Sequence, residues 1–218
     1  MTRTATLLRL MQTADSAFPS GAFAFSNGLE TLAAEGVVPD RIPLATVLLD
    51  QIAPRWIEFD RYFVRAAVLA EDIAAIDRDC DLRQTVPELC AASQRMGRAL
   101  LTSHARIGTA GAAAYLARPR VEAPAHAPVV QGLVGRVLEL TPEEAEAGAF
   151  HGLLAGFSAA AVRLGKIGAI SAQELVAQAI AHHAPAFETA PEAPSAFAPI
   201  ADIAAQRRDA AAVNLFAT

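Results

Sequence analysis

The stretch TPEEAEAGAFHGLLAGFSAAAVRL at residues 141–164 decides the fold class. Thr141 and Glu144 have the spacing of a capping box, in which two side chains satisfy backbone amides at the start of a helix. Pro142 falls in the first turn, where its missing N–H removes no helical hydrogen bond. Apolar residues then recur at helical spacing as far as Leu164. The stretch therefore predicts one long helix.

The same start signal occurs elsewhere in the chain. Thr85-Val86-Pro87-Glu88 predicts a helix to about Ile107, and Ser171-Ala172-Gln173-Glu174 predicts one to about His183. Asn27 and Glu30 have capping-box spacing as well. The helices predicted from periodicity cover residues 4–12, 27–34, 43–76 with a kink or split at Pro54, 109–117 and 129–140.

No alternating strand pattern or hairpin turn interrupts these runs. We therefore predict an all-α protein, a single-domain helical bundle of about eight to ten helices. Proline-rich segments mark its loops and its end. Residues 118–128 predict a loop, 1–187 the bundle, 188–199 a Pro-rich linker and 200–218 a C-terminal docking segment.

Composition narrows the classes of function. The chain has 218 residues, 53% of them hydrophobic, and a net charge of -5. Alanine-rich helices and apolar surface buried against a partner both explain the high hydrophobicity. Nucleic acid is an unsuitable partner because the arginines are scattered and Lys166 is the one lysine. No stretch reaches the roughly 18–20 apolar residues of a membrane span, and no secretory signal is visible, so we expect a cytoplasmic protein.

Sequence motifs for chemistry are absent. There is no Walker sequence, no dinucleotide-binding glycine motif and no nucleophile elbow. Cys80 and Cys90 stand in no metal or redox spacing, and no histidine follows a glutamate by three positions. We expect no catalytic residue, no cofactor and no metal ligand. His182 and His183 are interpreted as a helix C-terminal pair, where positive charge is favoured, whereas the role of His126 stays open.

Two stretches favour contact over chemistry. TADSAFPSGAFAFSNGLE at residues 13–30 concentrates phenylalanines around a Pro-Ser-Gly turn, which is typical of close packing between segments or chains. Arg95 and Arg98 flank Gly97 within a predicted helix. They form either a solvated basic edge or a close helix crossing at Gly97 whose arginines bond a partner carboxylate.

These residues carry a family resemblance. LLRLMQ at residues 7–12 followed by FPSGAFAFSNGLE at 18–30 resembles the N-terminal signature of the urease accessory protein UreF family. QRMGRALL at 94–101, HAPVVQG at 126–132 and the segment 158–168 resemble further motifs of that family in the same order. The resemblance covers nearly the whole chain.

The resemblance implies an all-α homodimer that is not an enzyme. UreF-like proteins join the accessory protein UreD (UreH in some species) and recruit the GTPase UreG, and the assembly delivers nickel to apo-urease. Glu30 and Arg163 match positions on the face that contacts the GTPase, with helix capping and a solvated cation as their alternative roles. Phe23 is either a partner contact or a core anchor. The expected partner-binding residues are Phe23, Phe25, Ser26, Glu30, Arg95, Arg98, Arg163, Arg207, Asn214, Leu215 and Phe216.

Two departures from the family pattern keep other interpretations open. Val213 and Asn214 stand where the tail that faces UreD commonly has serine and arginine, and Cys90 begins a segment that is usually acidic. The chain could be a diverged paralogue with altered partners. It could also regulate the partner GTPase through an arginine supplied in trans, or be an enzyme or ligand-binding domain with an apolar pocket.

Overall fold

The fold, described here from a computed structural model for residues 2–21 and 25–207, is a bundle of ten helices with no strand in that part of the chain. The all-α prediction is therefore confirmed. The helices are α1 Arg3–Ala14, α2 Leu29–Ala34, α3 41–69, α4 Ile73–Arg83, α5 Pro87–Arg106, α6 Ala112–Leu116, α7 Ala127–Val137, α8 Pro142–Arg163, α9 Ala169–His183 and α10 Pro199–Gln206.

Helix α7 lies at the centre of the bundle and packs on α3, α5 and α8. Val129 and Val130 are fully buried in it. Its glycines allow the neighbouring helices to approach closely. A Cβ at Gly132 would lie 2.6 Å from the Cβ of Ala67, and a Cβ at Gly135 would lie 2.8 Å from that of Ala145. Small residues thus set the spacing around α7.

The start of α8 follows the sequence prediction. The Oγ1 of Thr141 accepts a hydrogen bond from the Glu144 amide at 3.2 Å, and a Glu144 carboxylate oxygen accepts one from the Thr141 amide at 3.0 Å. Both halves of the capping box are therefore present. The helix runs for 22 residues to Arg163.

The other three capping-box predictions were wrong, although each of the predicted helices exists. Val86, rather than Thr85, is the N-cap of α5, because the residue before a proline disfavours helical geometry. Helix α9 starts at Ala169, so Ser171 is already inside it. Asn27 has a left-handed φ of 50° and does not cap α2. Position relative to proline or glycine, more than residue spacing, decides these helix starts.

Pro54 neither splits nor ends α3. The α-helical turns Arg41–Val47, Ala53–Arg55 and Arg61–Leu69 are joined by π-helical segments Leu48–Ile52 and Trp56–Asp60. A π-turn pairs residues five apart, which redistributes hydrogen bonds around the amide that proline lacks.

Helix α3 ends at Leu69, short of the predicted Ile76. Ala70 is extended, and Asp72 then caps α4 by accepting hydrogen bonds from the amides of Ala74 and Ala75 at 3.1 and 3.2 Å. An acidic N-cap therefore begins a separate helix here. No helix of the described residues is both long and apolar enough to cross a membrane.

The segment after α9 is bonded to α3 through one arginine side chain. Arg61 is nearly fully buried and pairs with Glu146 of α8 at 2.7 Å. It also donates to the carbonyl oxygens of Ala186 and Thr189 at 2.6 and 2.5 Å. One arginine thus links α3 and α8 to the chain that leads from a 3-10 turn at Ala184–Glu188 toward α10.

Candidate partner-binding residues

The phenylalanine-rich turn packs against α5. The hydroxyl of Ser103 donates a hydrogen bond to the Pro19 carbonyl at 2.6 Å. Gly21 has a φ of 77°, and a Cβ there would lie 2.8 Å from the Cβ of Ala99. Both the left-handed backbone and the close approach favour glycine at this position. The turn is therefore fixed to the bundle, whereas Phe23 lies outside the described residues.

Phe25 and Ser26 face inward. Phe25 is 5% exposed and lies beneath the guanidinium of Arg95, which is 5.4 Å from the centre of the ring. The Ser26 hydroxyl is fully buried and accepts a hydrogen bond from the Glu30 amide at 3.4 Å. Buried side chains offer little area to a partner, so these two residues support the surface on which Arg95 is exposed.

Glu30 and Arg163 come together although they are far apart in the sequence. Glu30 is half-buried in the first turn of α2, and Arg163 is exposed in the last turn of α8. Partial burial lowers the pKa of the Arg163 guanidinium, and the negative charge of Glu30 counteracts this effect. The structure thus places both residues of the predicted GTPase-facing pair in one region of the surface.

Arg98 makes a contact within the protein, whereas Arg95 is exposed. The Arg98 guanidinium is half-buried and donates to the Leu116 carbonyl at 3.3 Å. A Cβ at Gly97 would overlap the carbonyl oxygen of Ala125. The close approach predicted at Gly97 is therefore present, but it is made with the loop before α7. Gly97 is therefore required by its contact with this loop rather than by a crossing of two helices.

The start of the C-terminal docking segment lies beside α2. Helix α10 packs on α2 and α5, and a Cβ at Gly28 would lie 3.1 Å from the carbonyl oxygen of Ala201 and 3.2 Å from the Cβ of Ala204. Arg207 follows α10 directly and is exposed. The other predicted tail residues, Asn214, Leu215 and Phe216, lie outside the described residues.

Two histidines have lowered pKa values for the same reason. Burial, with a smaller effect of Arg9, lowers the pKa of His104 to about 4, and its Nδ1 lies 2.9 Å from the hydroxyl of Thr109. Burial and the neighbouring His182 lower the pKa of His183. His182 and His183 lie in the last turn of α9, as predicted, although desolvation opposes the charged form of His183.

His126 joins a cluster that sequence spacing did not reveal. It is fully buried, its Nε2 lies 2.9 Å from a carboxylate oxygen of Asp81, and its Nδ1 lies 3.1 Å from the hydroxyl of Ser93. The Cys90 thiol lies 3.5 Å from the same oxygen of Asp81. Burial, and then Asp81, raise the pKa of Cys90 to about 11. A search for local motifs misses this cluster because its members come from α4, α5 and the loop before α7.

Asp77 fixes the loop that presents His126. Its fully buried carboxylate accepts hydrogen bonds from the amides of Ala125 and His126 at 2.6 and 2.9 Å, and from the Tyr115 hydroxyl at 2.8 Å. Ala125 has a φ of 66°, an uncommon value for alanine. The three hydrogen bonds to one carboxylate hold the strained backbone in place.

Comparison with known proteins settles the family. The UreF family model matches residues 38–180. This chain belongs to the UreF family. A urease accessory protein UreF of Trichodesmium erythraeum is 28% identical over 193 residues, 79% of this chain and 78% of the relative. The UreF of a Mycobacterium species is 32% identical over 161 residues, 73% of each chain. The UreF 1 protein of Brucella melitensis is 30% identical over 210 residues, 91% of this chain and 87% of the relative.

The UreF match confirms the family predicted from the short motifs, and it covers the candidate residues unevenly. The matched span contains Arg95, Arg98 and Arg163 but ends before α10 and begins after Glu30. The three relatives are all named as accessory proteins, a class distinct from the urease enzyme itself.

A cavity of about 200 Å³ that opens toward the surface lies between the helices of this UreF-family bundle. Most of its lining is apolar, with Trp56 and Leu100 among the larger side chains. Arg55 and Asp60 also line it, and they bond each other at 2.8 Å. Burial raises the pKa of Asp60, and the guanidinium of Arg55 opposes this shift. Asp60 and Gln84 thus each accept one hydrogen bond from the Arg55 guanidinium, at 2.8 and 3.1 Å.

Proposed function

We propose that this UreF-family protein is a non-enzymatic urease maturation factor. It acts as a homodimeric cytoplasmic scaffold that joins a UreD/UreH-like protein to a UreG-like GTPase. The assembly then supports nickel insertion into apo-urease. Nickel is the cargo of this process and is distinct from any cofactor of the scaffold.

Family membership across most of the chain is the observation that carries the proposal. The family model matches residues 38–180, and the Brucella melitensis relative extends the similarity to 91% of the chain. Relatives of this class are named for an accessory role in urease. A scaffold also agrees with a sequence in which no catalytic motif was found.

The GTPase would bind at the surface that holds Glu30 and Arg163. A carboxylate and a guanidinium in one region of the surface can each form charged hydrogen bonds with complementary groups of a partner. Arg95 is exposed and its position is fixed by stacking over Phe25. An arginine held in this way loses little conformational entropy when it binds, which favours its use in an interface.

The UreD-like protein would bind near α10 and the C-terminal segment. Arg207 is exposed at the point where α10 ends, and α10 itself is anchored on α2. The two proposed binding regions thus both adjoin α2. A single scaffold can bring two partners close together in this arrangement.

Urease activation in cells tests the function. The urease gene cluster of the source organism would be expressed with and without this chain, and the nickel content and activity of the purified urease would be measured. We expect urease with little nickel when the chain is omitted and restored nickel when it is supplied. Equal nickel content in the two cultures would overturn the proposal.

Regulation of the GTPase is the alternative function, and Arg163 is its strongest candidate. Its side chain is exposed and carries the charge that an arginine acting in trans needs. The rate of GTP hydrolysis by the UreG-like protein would be compared with wild-type chain, with Arg163→Ala and with no addition. A rate that rises with wild-type chain and not with Arg163→Ala would favour regulation over a purely structural role.

A further inference from the structure

We infer that Asp81, Cys90 and His126 form a binding site for one divalent ion of the borderline transition metals, with Zn²⁺ as the preferred ion. The inference rests on the geometry of these side chains alone and is independent of the proposed role in urease maturation. It concerns a resident ion in the scaffold, whereas nickel passed to urease is cargo.

The three donor atoms already face one another. All lie within 4.8 Å of each other, with the His126 Nε2 2.9 Å and the Cys90 Sγ 3.5 Å from one oxygen of Asp81. Zinc bonds of about 2.0–2.3 Å at tetrahedral angles place ligand atoms roughly 3.3–3.7 Å apart. Small side-chain rotations are therefore enough to bring the three donors to bonding distance around one ion.

A second layer of hydrogen bonds orients the ligands. The Ser93 hydroxyl oxygen lies 3.1 Å from the Nδ1 of His126 and accepts a hydrogen bond from the Ala127 amide at 3.2 Å. This contact leaves Nε2 as the nitrogen that faces Asp81 and Cys90. Gln94 donates to Asp81 at 2.8 Å. Ligating histidines commonly have their other ring nitrogen held in this way.

The site is reachable from solvent on one side. His126 is fully buried, while the Asp81 side chain is 40% exposed and Cys90 is partly buried. An ion could enter past Asp81 and retain a water molecule as its fourth ligand. The backbone around His126 is fixed by Asp77, so the buried half of the site is formed before the ion arrives.

The donor set selects the class of metal. One imidazole nitrogen, one thiolate and one carboxylate suit zinc, cobalt and nickel, whereas calcium and magnesium prefer sites made only of oxygen. Binding displaces the thiol proton of Cys90 and any proton on the His126 Nε2, both of which pass to solvent. The carboxylate of Asp81 changes its partner from these groups to the metal.

Cobalt titration of the full-length chain tests the site. Co²⁺ would be added to reduced protein without oxygen, and the thiolate-to-cobalt charge-transfer band would be followed in the near ultraviolet. We expect saturation at about one equivalent and displacement of the band by Zn²⁺, as for a tetrahedral site with one thiolate. Absence of a thiolate band at excess Co²⁺ would overturn the inference.

Matched variants identify the ligands. Cys90→Ala should abolish the band, whereas Cys80→Ala, which removes the other cysteine, should leave it unchanged. Asp81→Asn should weaken binding about tenfold or more, while Asp79→Asn on the same helix should not. The far-ultraviolet circular dichroism of each variant verifies its fold. A band that survives Cys90→Ala, or one that is lost equally in Cys80→Ala, contradicts the assignment.

Discussion

Burial decides what each charged or titratable side chain of this protein contributes. Arg163 and Arg95 are exposed, whereas Arg61 is nearly fully buried and its guanidinium is bonded inside the bundle. His104 is held neutral by its surroundings. The sequence identifies these residue types and their helices, but burial depends on which helices pack together.

Arg163→Ala should weaken binding to the UreG-like GTPase about tenfold and leave folding nearly unchanged. An exposed arginine that contacts a partner is a frequent source of binding energy, while its removal from a surface changes stability by less than about 0.5 kcal/mol. Binding would be measured by calorimetry, and unfolding by urea titration. Arg120→Ala is the matched control, since Arg120 is also exposed. Equal affinity of both variants and wild type would remove Arg163 from the interface.

The stability of the protein should fall as pH falls below about 6.5, in part because of His104. The pKa of this histidine is lowered from 6.5 to about 4 in the folded state, so its contribution is fully present above the unfolded pKa. It is lost as the unfolded chain takes up a proton that the folded chain excludes. Between about pH 7.5 and pH 5 the loss amounts to roughly 2 kcal/mol.

His104→Gln is the reference for this pH dependence. Urea unfolding of both proteins at the two pH values isolates the histidine from other titrating groups, including His183, whose pKa is also lowered. We expect a smaller pH dependence in His104→Gln. Identical pH dependence in the two proteins would show that His104 is readily protonated in the folded state.

Sequence spacing predicts the elements of this fold better than their ends. Helix α8 begins at Pro142 and is capped by the predicted Thr141, because the proline follows that threonine directly. In α5 the proline stands one residue later, so the helix start shifts with it to Pro87. The π-turns around Pro54 could not be predicted, because they depend on the helices that pack against α3 and keep it continuous.

Gly97→Ala should destabilise the protein by about 2 kcal/mol. A Cβ at this position would overlap the carbonyl oxygen of Ala125, and the backbone that must yield is held by Asp77. Overpacking a rigid contact typically costs about 1–3 kcal/mol. Thermal unfolding and urea titration measure the change.

Gly152→Ala is the control for Gly97→Ala, because Gly152 also lies in a helix but has free space beside it. No atom lies within 4 Å of a Cβ built there among the described residues, so the higher helix propensity of alanine should add about 0.5–1 kcal/mol of stability. Opposite effects at the two glycines support the packing described for α5. Destabilisation by both, or by neither, is the contrary result.

Glu146→Gln should cost about 3 kcal/mol or more of stability. Glu146 is fully buried and bonds both Arg61 and Arg65, at 2.7 and 2.8 Å. Removal of its charge leaves the buried Arg61 cation without its carboxylate partner, which is strongly destabilising. Glu143→Gln is the control, because Glu143 also pairs with Arg65 but is 57% exposed. Its substitution should cost less than about 1 kcal/mol in urea unfolding, and equal losses would argue against the buried network.

At the scale of the whole molecule, helical periodicity predicted the all-α fold, which the structure confirms. The short motifs predicted the family, which the comparisons confirm. The His126 cluster could not be predicted, because tertiary packing assembles it from α4, α5 and a loop. The proximity of Glu30 and Arg163 was implied by the family resemblance, and the fold places them in one region.

Co-purification tests the scaffold function most directly. This chain would be expressed with the UreD-like and UreG-like proteins of its source organism, and the complex would be sized by light scattering. We predict a complex that contains both partners and two copies of this chain. A lone soluble monomer that retains neither partner would contradict the account, and the differences at Val213 and Asn214 would then be the first place to look for altered function.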